Sequence, residues 1–234
     1  MQRGFFVEYA YDSGRVDYHE RLCNELSRGE RSPEELSEIM QDPTADPAFY
    51  GKLFDMISDS RKRIYFEHSP LGLIEAIQNT APIVVNGTID EKLETYENRL
   101  RERAHREKRR DESFASQLAG HCEENSTAKV LAMRGAMHQR ALGKFLSADE
   151  IQFESHLSHS PMCMHTEEEI ISKLEIGEAT NRRELLLAIT EQPELVRRGY
   201  DPKTLKIGEL AEVQRELRSL SEEDLRTRCL AGGP

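Results

Sequence analysis

The chain has 234 residues, of which 37% are hydrophobic and 32% charged. This length is enough for one sizeable α/β domain, alone or with a helical appendage, whereas two full domains would be crowded. The formal charge of −11 argues against a general nucleic-acid binder, because neutralising phosphates needs a basic surface. No run approaches the roughly 18 apolar residues of a membrane span and no secretion signal opens the chain, so we expect a cytoplasmic protein.

The first elements alternate between strand and helix. The stretch GFFVEYAY, Gly4 to Tyr11, has the aromatic and β-branched content of a buried strand. Residues 15–28 are predicted to form a helix. Ser32 followed by Pro33 is typical of a helix start, with serine as the cap and proline in the first turn. A further helix is predicted from Pro47.

A second strand is predicted for RIYFEHSP, Arg63 to Pro70, which carries Glu67 and His68 at its end. A solvated strand end is the favoured interpretation of that pair. The apolar stretch from Ala81 to Gly87 fits either a strand or the end of a helix. From Thr88 onward, apolar residues at three- and four-residue steps predict a helix.

The clearest strand is AKVLAM, Ala128 to Met133, followed by a glycine turn and another helix. Residues Ile151 to Pro161 alternate partially and could form a further strand. Beyond Thr166 the spacing predicts helices only. These patterns predict a mixed α/β fold, with a central mixed sheet flanked by helices in residues 1–165 and a helical C-terminal extension in residues 166–234 packed on it.

Unusual polar residues accompany the predicted strands. Glu8 lies in the middle of an apolar strand, where an isolated buried carboxylate costs several kcal/mol unless it is paired, protonated or bound to a metal. Gly135 and His138 follow another strand, where glycine permits a close approach and histidine can bind a metal, act as a base or donate to an anion. Since function collects at the carboxyl ends of parallel strands, we expect a site there. Structural alternatives are a salt bridge for Glu8 and a packing role for His138.

The segment from Arg99 to Arg110 holds seven basic residues against two acids. Pairs with acids four residues away on a solvated helix account for part of such a run. One arginine can also point inward and hold a carboxylate. A weaker hypothesis is that this basic segment binds the phosphates of a nucleotide or nucleic acid. A second, weaker candidate site is the group of His156, His159 and His165, whose spacing fits no standard zinc pattern.

Three segments resemble a known family. They are FFVEYAYDSGR (Phe5 to Arg15), KRRDESFASQL (Lys108 to Leu118) and KVLAMRGAMHQRALGKFL (Lys129 to Leu146). Together they resemble the glutamate strand, the Arg-Asp-x-x-x-Ala helix and the second Gly-x-x-His motif of the TraB/PrgY/GumN group. That group is related to the Tiki proteases and, more distantly, to the erythromycin esterase and ChaN-like proteins.

The resemblance implies a metal-assisted hydrolase of peptide or ester bonds. Glu8, Arg110 and His138 match the family's catalytic positions, and Glu8 and His138 would be ligands of a divalent ion such as Mn, Co or Zn. Gly135 and Arg15 would contribute to substrate binding. We expect Glu8, Arg110 and His138 to meet at one edge of the sheet, with Arg110 holding a substrate carboxylate or a developing oxyanion.

One departure leaves a second hypothesis open. The family normally carries a first Gly-x-x-His motif ahead of the glutamate strand, and none precedes Gly4 here. The alternative function is a non-catalytic binding or regulatory protein that retains the fold. Its helical tail would then serve dimer or partner contacts.

Overall fold

The computed structural model describes residues 3–7, 15–40, 47–68, 87–124, 129–148, 151–155, 164–200 and 205–231. Helices predominate, and they accompany one small sheet of parallel strands. The strands are β1 (Arg3–Val7), β2 (Arg63–Phe66) and β3 (Lys129–Met133). The helices are α1 (Val16–Ser27), α2 (Pro33–Ile39), α3 (Pro47–Ser60), α4 (Ile89–Glu124), α5 (Gln139–Ala148), α6 (Thr166–Glu175), α7 (Arg182–Arg197), α8 (Ile207–Ser219) and α9 (Glu222–Ala231). The described chain is therefore a mixed α/β structure dominated by helix.

The chain divides into two compact units. The first comprises Met1–Thr80, Arg110–Gly135 and Phe145–Ile151. The second comprises Ala81–Arg109, Ala136–Lys144 and Gln152–Pro234. The predicted packing of residues 166–234 on residues 1–165 stays a prediction.

The sheet of the first unit has the strand order β2-β1-β3, and both strand pairs are parallel. Val7 in the central strand is in register with Phe66 of β2 and Met133 of β3. The three strands therefore end level with one another. The residues that follow Phe66 and Met133 emerge at a common edge, the carboxyl edge of the sheet.

Helices pack against both faces of the sheet, to which successive side chains of a strand point in alternation, although Leu131 of β3 is exposed. Apolar residues of β1 and β2 pack with helices α1 to α3 in a core that includes Phe5, Val7, Ile64, Phe66, Leu22, Leu26, Leu53, Phe54 and Ile57. On the other face, the Phe6 ring meets the Phe114 ring of α4 edge to face at 4.8 Å. Both faces of the strands therefore contribute apolar contacts.

The outer edge of β2 is closed by side chains of α1. The Asn24 amide accepts a hydrogen bond from Ile64 N at 3.3 Å and donates one to Ile64 O at 3.4 Å. Glu20 accepts a third from Phe66 N at 3.1 Å. These bonds satisfy backbone groups that a further strand would otherwise use, and β2 is accordingly an edge strand among the described strands.

The helix start predicted at Ser32 is confirmed. The Ser32 hydroxyl accepts a hydrogen bond from Glu35 N at 3.2 Å, and the Glu35 carboxylate accepts one from Ser32 N at 2.9 Å. Pro33 occupies the first turn. The pair forms a reciprocal capping box, which satisfies two amide groups that the helix itself cannot bond.

The second unit has its own core of helices. The predicted apolar stripe of Ile89, Leu93, Tyr96 and Leu100 is buried there. It shares that core with residues of the tail helices, including Ile170, Ile171, Leu186, Leu195, Val213 and Leu217. Among the described residues, no helix is both long enough and apolar enough to cross a membrane.

Two further apolar stretches of the sequence have different outcomes. Residues 81–86 of the apolar stretch Ala81 to Gly87 lie outside the described residues. Residues 151–155 form no regular structure, so the strand predicted there is wrong. Ile151 N instead donates to Leu146 O at 3.0 Å, which closes the end of α5, and the side chains of residues 152–155 are exposed. Residues 156–161 of that prediction lie outside the described residues.

Candidate active site and buried polar groups

A buried ion cluster lies at the carboxyl edge of the sheet. Glu67 and Arg134 each directly follow a strand, one residue after Phe66 and Met133, so the alternation of side chains turns them to the face that carries Phe114. Arg134 Nη1 donates to Glu67 Oε2 at 2.6 Å. Arg134 Nε donates to Oδ1 of Asp111 in α4 at 2.8 Å. One guanidinium therefore bridges two carboxylates from different elements.

The cluster is almost completely removed from solvent. The Glu67 and Asp111 side chains are 0% exposed and that of Arg134 is 3% exposed. The Arg134 guanidinium also lies over the Phe114 ring, 4.7 Å from its centroid, in a cation–π contact. Burying such charges carries a desolvation cost that short, charge-assisted hydrogen bonds offset only in part.

Arg110 lies beside this cluster and is more accessible than Arg134. Its Nη2 atom is 3.6 Å from Glu67 Oε2, and its side chain is 20% exposed. Arg110 is thus an inward-pointing arginine of the basic run. Two other members pair with acids: Arg101 with Glu97 four residues earlier, as predicted, and Arg103 with Glu167. The run is partly neutralised by these contacts.

The chain that leaves β2 is held by Gln117 of α4. Its Oε1 accepts from His68 N at 2.9 Å, and its Nε2 donates to His68 O at 3.0 Å. The His68 side chain is more than half exposed and lies 3.7 Å from Asp17. A solvated strand end therefore describes His68, but it is wrong for Glu67, whose carboxylate is the acceptor at the centre of the ion cluster.

The predicted site residues fall in different places. Glu8 lies outside the described residues. Arg15 is exposed and directly precedes α1, while Gly135 is exposed between β3 and the single 3-10 turn Ala136–His138. His138 is buried, at 4% exposure, and belongs to the second unit, whereas Arg110 belongs to the first. The meeting of Glu8, Arg110 and His138 stays a prediction.

The second unit places His138 close to a buried acid. Glu175, the last residue of α6, is 3% exposed. One ring nitrogen of His138 and one carboxylate oxygen of Glu175 lie within 4.8 Å of each other. Imidazole nitrogen and carboxylate oxygen are both ligands of divalent transition ions, so these buried groups could hold a metal ion.

A further buried polar group centres on Glu191 of α7. Its Oε1 accepts from Nδ1 of His165 at 2.6 Å. Its Oε2 accepts from Thr166 N at 3.1 Å, from the Thr166 hydroxyl, and from Gln214 Nε2 at 3.0 Å. These bonds tie the start of α6 to α7 and α8. Of the predicted histidine group, His165 is therefore engaged with Glu191, while His156 and His159 lie outside the described residues.

The two partners change each other's protonation. The hydrogen bond to Glu191 raises the pKa of His165, and the nearby charges of Glu191, Glu168 and Glu167 raise it further against the opposing effect of burial. Burial favours a raised pKa for Glu191, but the hydrogen bonds from His165, Thr166 and Gln214 outweigh it and lower that pKa. Both groups are therefore charged at pH values between the lowered pKa of Glu191 and the raised pKa of His165.

Sequence reasoning missed Arg134, Asp111 and Glu175 as site residues. The sequence did indicate Arg134, because it is a charged residue directly after an apolar strand, at the end of the strand where functional residues are usually found. Asp111 stands within the segment that resembles the family's Arg-Asp helix. Glu175 gave no signal, since it is one glutamate among many in an acidic tail.

Comparison of the chain with protein-family models, with curated proteins and with solved structures finds no match.

Proposed function

We propose that this chain is a cytoplasmic, metal-assisted hydrolase of peptide or ester bonds, of the kind that its motifs resemble in the TraB/PrgY/GumN group. The observation that carries the proposal is the buried ion cluster of Glu67, Arg134 and Asp111 with Arg110 beside it. It lies at the carboxyl edge of a parallel sheet, the edge at which ligands bind in such folds.

The desolvation free energy of burying these charged side chains supports a functional role for the cluster. Replacing a buried ion pair by well-packed apolar residues is often neutral or stabilising, so stability alone does not favour charges at this edge. Buried charged side chains are instead typical of functional sites, where the chemistry requires them. A cluster that presents Arg110 at 20% exposure can position a guanidinium for a substrate.

Each residue has a role in this proposal. Glu8 and His138 bind the divalent ion or activate the attacking water, and Arg110 donates to the oxyanion that develops on the carbonyl. Arg134 is a positioning residue that fixes Glu67 and, through it, Arg110. Gly135 and Arg15 contact the substrate.

A bound divalent ion would supply a Lewis acid that polarises the scissile carbonyl. The imidazole of His138 beside a carboxylate fits such an ion.

The test is the metal dependence of hydrolysis. Chelator-treated protein is assayed against a chromogenic ester and a set of fluorogenic peptides, before and after addition of Mn²⁺, Co²⁺ or Zn²⁺. We expect turnover of at least one substrate only after the ion is restored, and its loss in His138→Ala. Turnover that is absent under every condition, or that is indifferent to the chelator, contradicts the proposal.

The alternative function, binding or regulation through the tail, is favoured by three exposed apolar side chains of the second unit. They are Val196 at the end of α7, Ile207 at the start of α8 and Leu230 in α9. If the tail forms a dimer through them, sedimentation equilibrium finds two chains for wild type and one for Val196→Glu or Leu230→Glu. A monomeric wild type removes this dimer from consideration.

A further inference from the structure

The position of Glu175 is unusual for an acid. It is the last residue of α6, where the helix presents the negative end of its dipole, and it is 3% exposed. A carboxylate is disfavoured at such a helix end and disfavoured again by burial. A buried acid at this end of a helix calls for strong local compensation.

We propose that Glu175 and His138 are joint ligands of a divalent first-row transition ion, an inference that rests on the metal-assisted function proposed above and adds Glu175 to its ligands. Two ligand atoms that each lie about 2.1 Å from one ion are at most about 4.2 Å apart. The ring nitrogen and the carboxylate oxygen lie within 4.8 Å, a separation that small side-chain rotations close.

The donor set selects the class of ion. Mg²⁺ and Ca²⁺ prefer oxygen ligands, whereas an imidazole nitrogen with a carboxylate oxygen suits Zn²⁺, Mn²⁺ or Co²⁺. Both side chains are buried, so little water would compete with them as ligands of the ion. The competing account is a direct contact between the His138 ring and the Glu175 carboxylate, with no affinity for metal.

Zinc binding distinguishes the two accounts. Chelator-treated protein is titrated with ZnCl₂ alone by calorimetry, using wild type, Glu175→Gln and the control Glu178→Gln, which alters an exposed acid paired with Arg140. We expect one ion bound by each wild-type chain, affinity weakened about 10-fold or more in Glu175→Gln, and wild-type affinity in the control. Equal affinity in all three, or no binding by wild type, overturns the inference.

A second variant guards against misfolding of Glu175→Gln. Glu175→Cys keeps a ligand at the position, and with Co²⁺ bound it should show a thiolate-to-cobalt charge-transfer band that wild type lacks. A folded, cobalt-loaded variant without the band overturns the inference. If zinc binds through Glu175 but no substrate is hydrolysed, the inference stands and the proposed function fails. If hydrolysis needs metal but binding is indifferent to Glu175, the inference alone fails.

Discussion

Arg134 Nη1 lies 2.6 Å from Glu67 Oε2, and each residue directly follows a strand of the parallel sheet. The same guanidinium reaches Asp111 of α4, so a single buried cation joins both strand ends to the helix that covers that face of the sheet. The arrangement explains why charged residues can stand at the end of two apolar strands: each charged side chain of the cluster contacts a partner of opposite charge.

Removing Arg134 should be strongly destabilising. Arg134→Met leaves Glu67 and Asp111 buried without the guanidinium that bridges them, and breaking a buried pair in this way costs about 3–5 kcal/mol. The free energy of unfolding, measured by urea denaturation, should fall by about that amount. The control Arg28→Met breaks an exposed pair with Glu30 in the same unit and should change stability little. A loss for Arg134→Met no greater than that of the control would show that the cluster is not a structural centre.

The contact between His165 and Glu191 should make stability depend on pH. Because the pKa of His165 is raised on folding, its contribution is complete below the unfolded value of about 6.5 and is lost as pH rises through the folded value. Because the pKa of Glu191 is lowered, its contribution is present above the unfolded value of about 4.3 and is lost as pH falls through the folded value. The pair is therefore most stabilising at mildly acidic pH.

The matched comparison is His165→Gln, which keeps an N–H donor and removes the charge. Its loss of unfolding free energy relative to wild type should be larger at about pH 5.5 than at about pH 8.5. The control His105→Gln changes an exposed histidine of α4, and such surface substitutions usually alter stability little. An equal loss at both pH values for His165→Gln would mean that charge plays no part in the contact.

The cap of α2 offers a local prediction. Ser32→Ala removes the acceptor for Glu35 N and should lower stability by about 1 kcal/mol. Ser37→Ala, an exposed position in the middle of the same helix, should be neutral or slightly stabilising, because alanine favours the helical backbone more than serine does. Thermal unfolding of the two variants compares them directly, and a Ser32→Ala protein as stable as Ser37→Ala would refute the role of the cap.

Local patterns in the sequence predict much of the fold. The strands that begin near Gly4, at Arg63 and near Ala128, the Ser32 cap and the apolar stripe from Ile89 are all seen, because each is set by neighbouring residues. The segment from Ile151 shows the limit. Its partial alternation favours a strand, but Ile151 N bonds back to α5 and the following side chains remain exposed.

The polar clusters were harder to predict because each depends on contacts between distant residues. Glu67 and Asp111 are 44 positions apart, by subtraction of their numbers. The register of the sheet brings Arg134 near Glu67, and the packing of α4 on the sheet brings Asp111 to the same guanidinium. Nothing close to Glu67 in the sequence distinguishes it from a solvated strand end. Glu191 likewise owes its role to His165, which directly precedes α6, and to Gln214 of α8. Charge alone does not specify such partners.

The most direct test of the proposed hydrolase compares two neighbouring arginines in the metal-restored assay. Arg110 contacts Glu67 and is assigned the developing oxyanion, whereas Arg109 is exposed on the same helix. For a substrate that wild type turns over, Arg110→Gln should lower kcat by about 10²–10³-fold, and Arg109→Gln should leave kcat unchanged. Equal kcat values for the two folded variants would contradict the assignment of catalysis to this edge of the sheet.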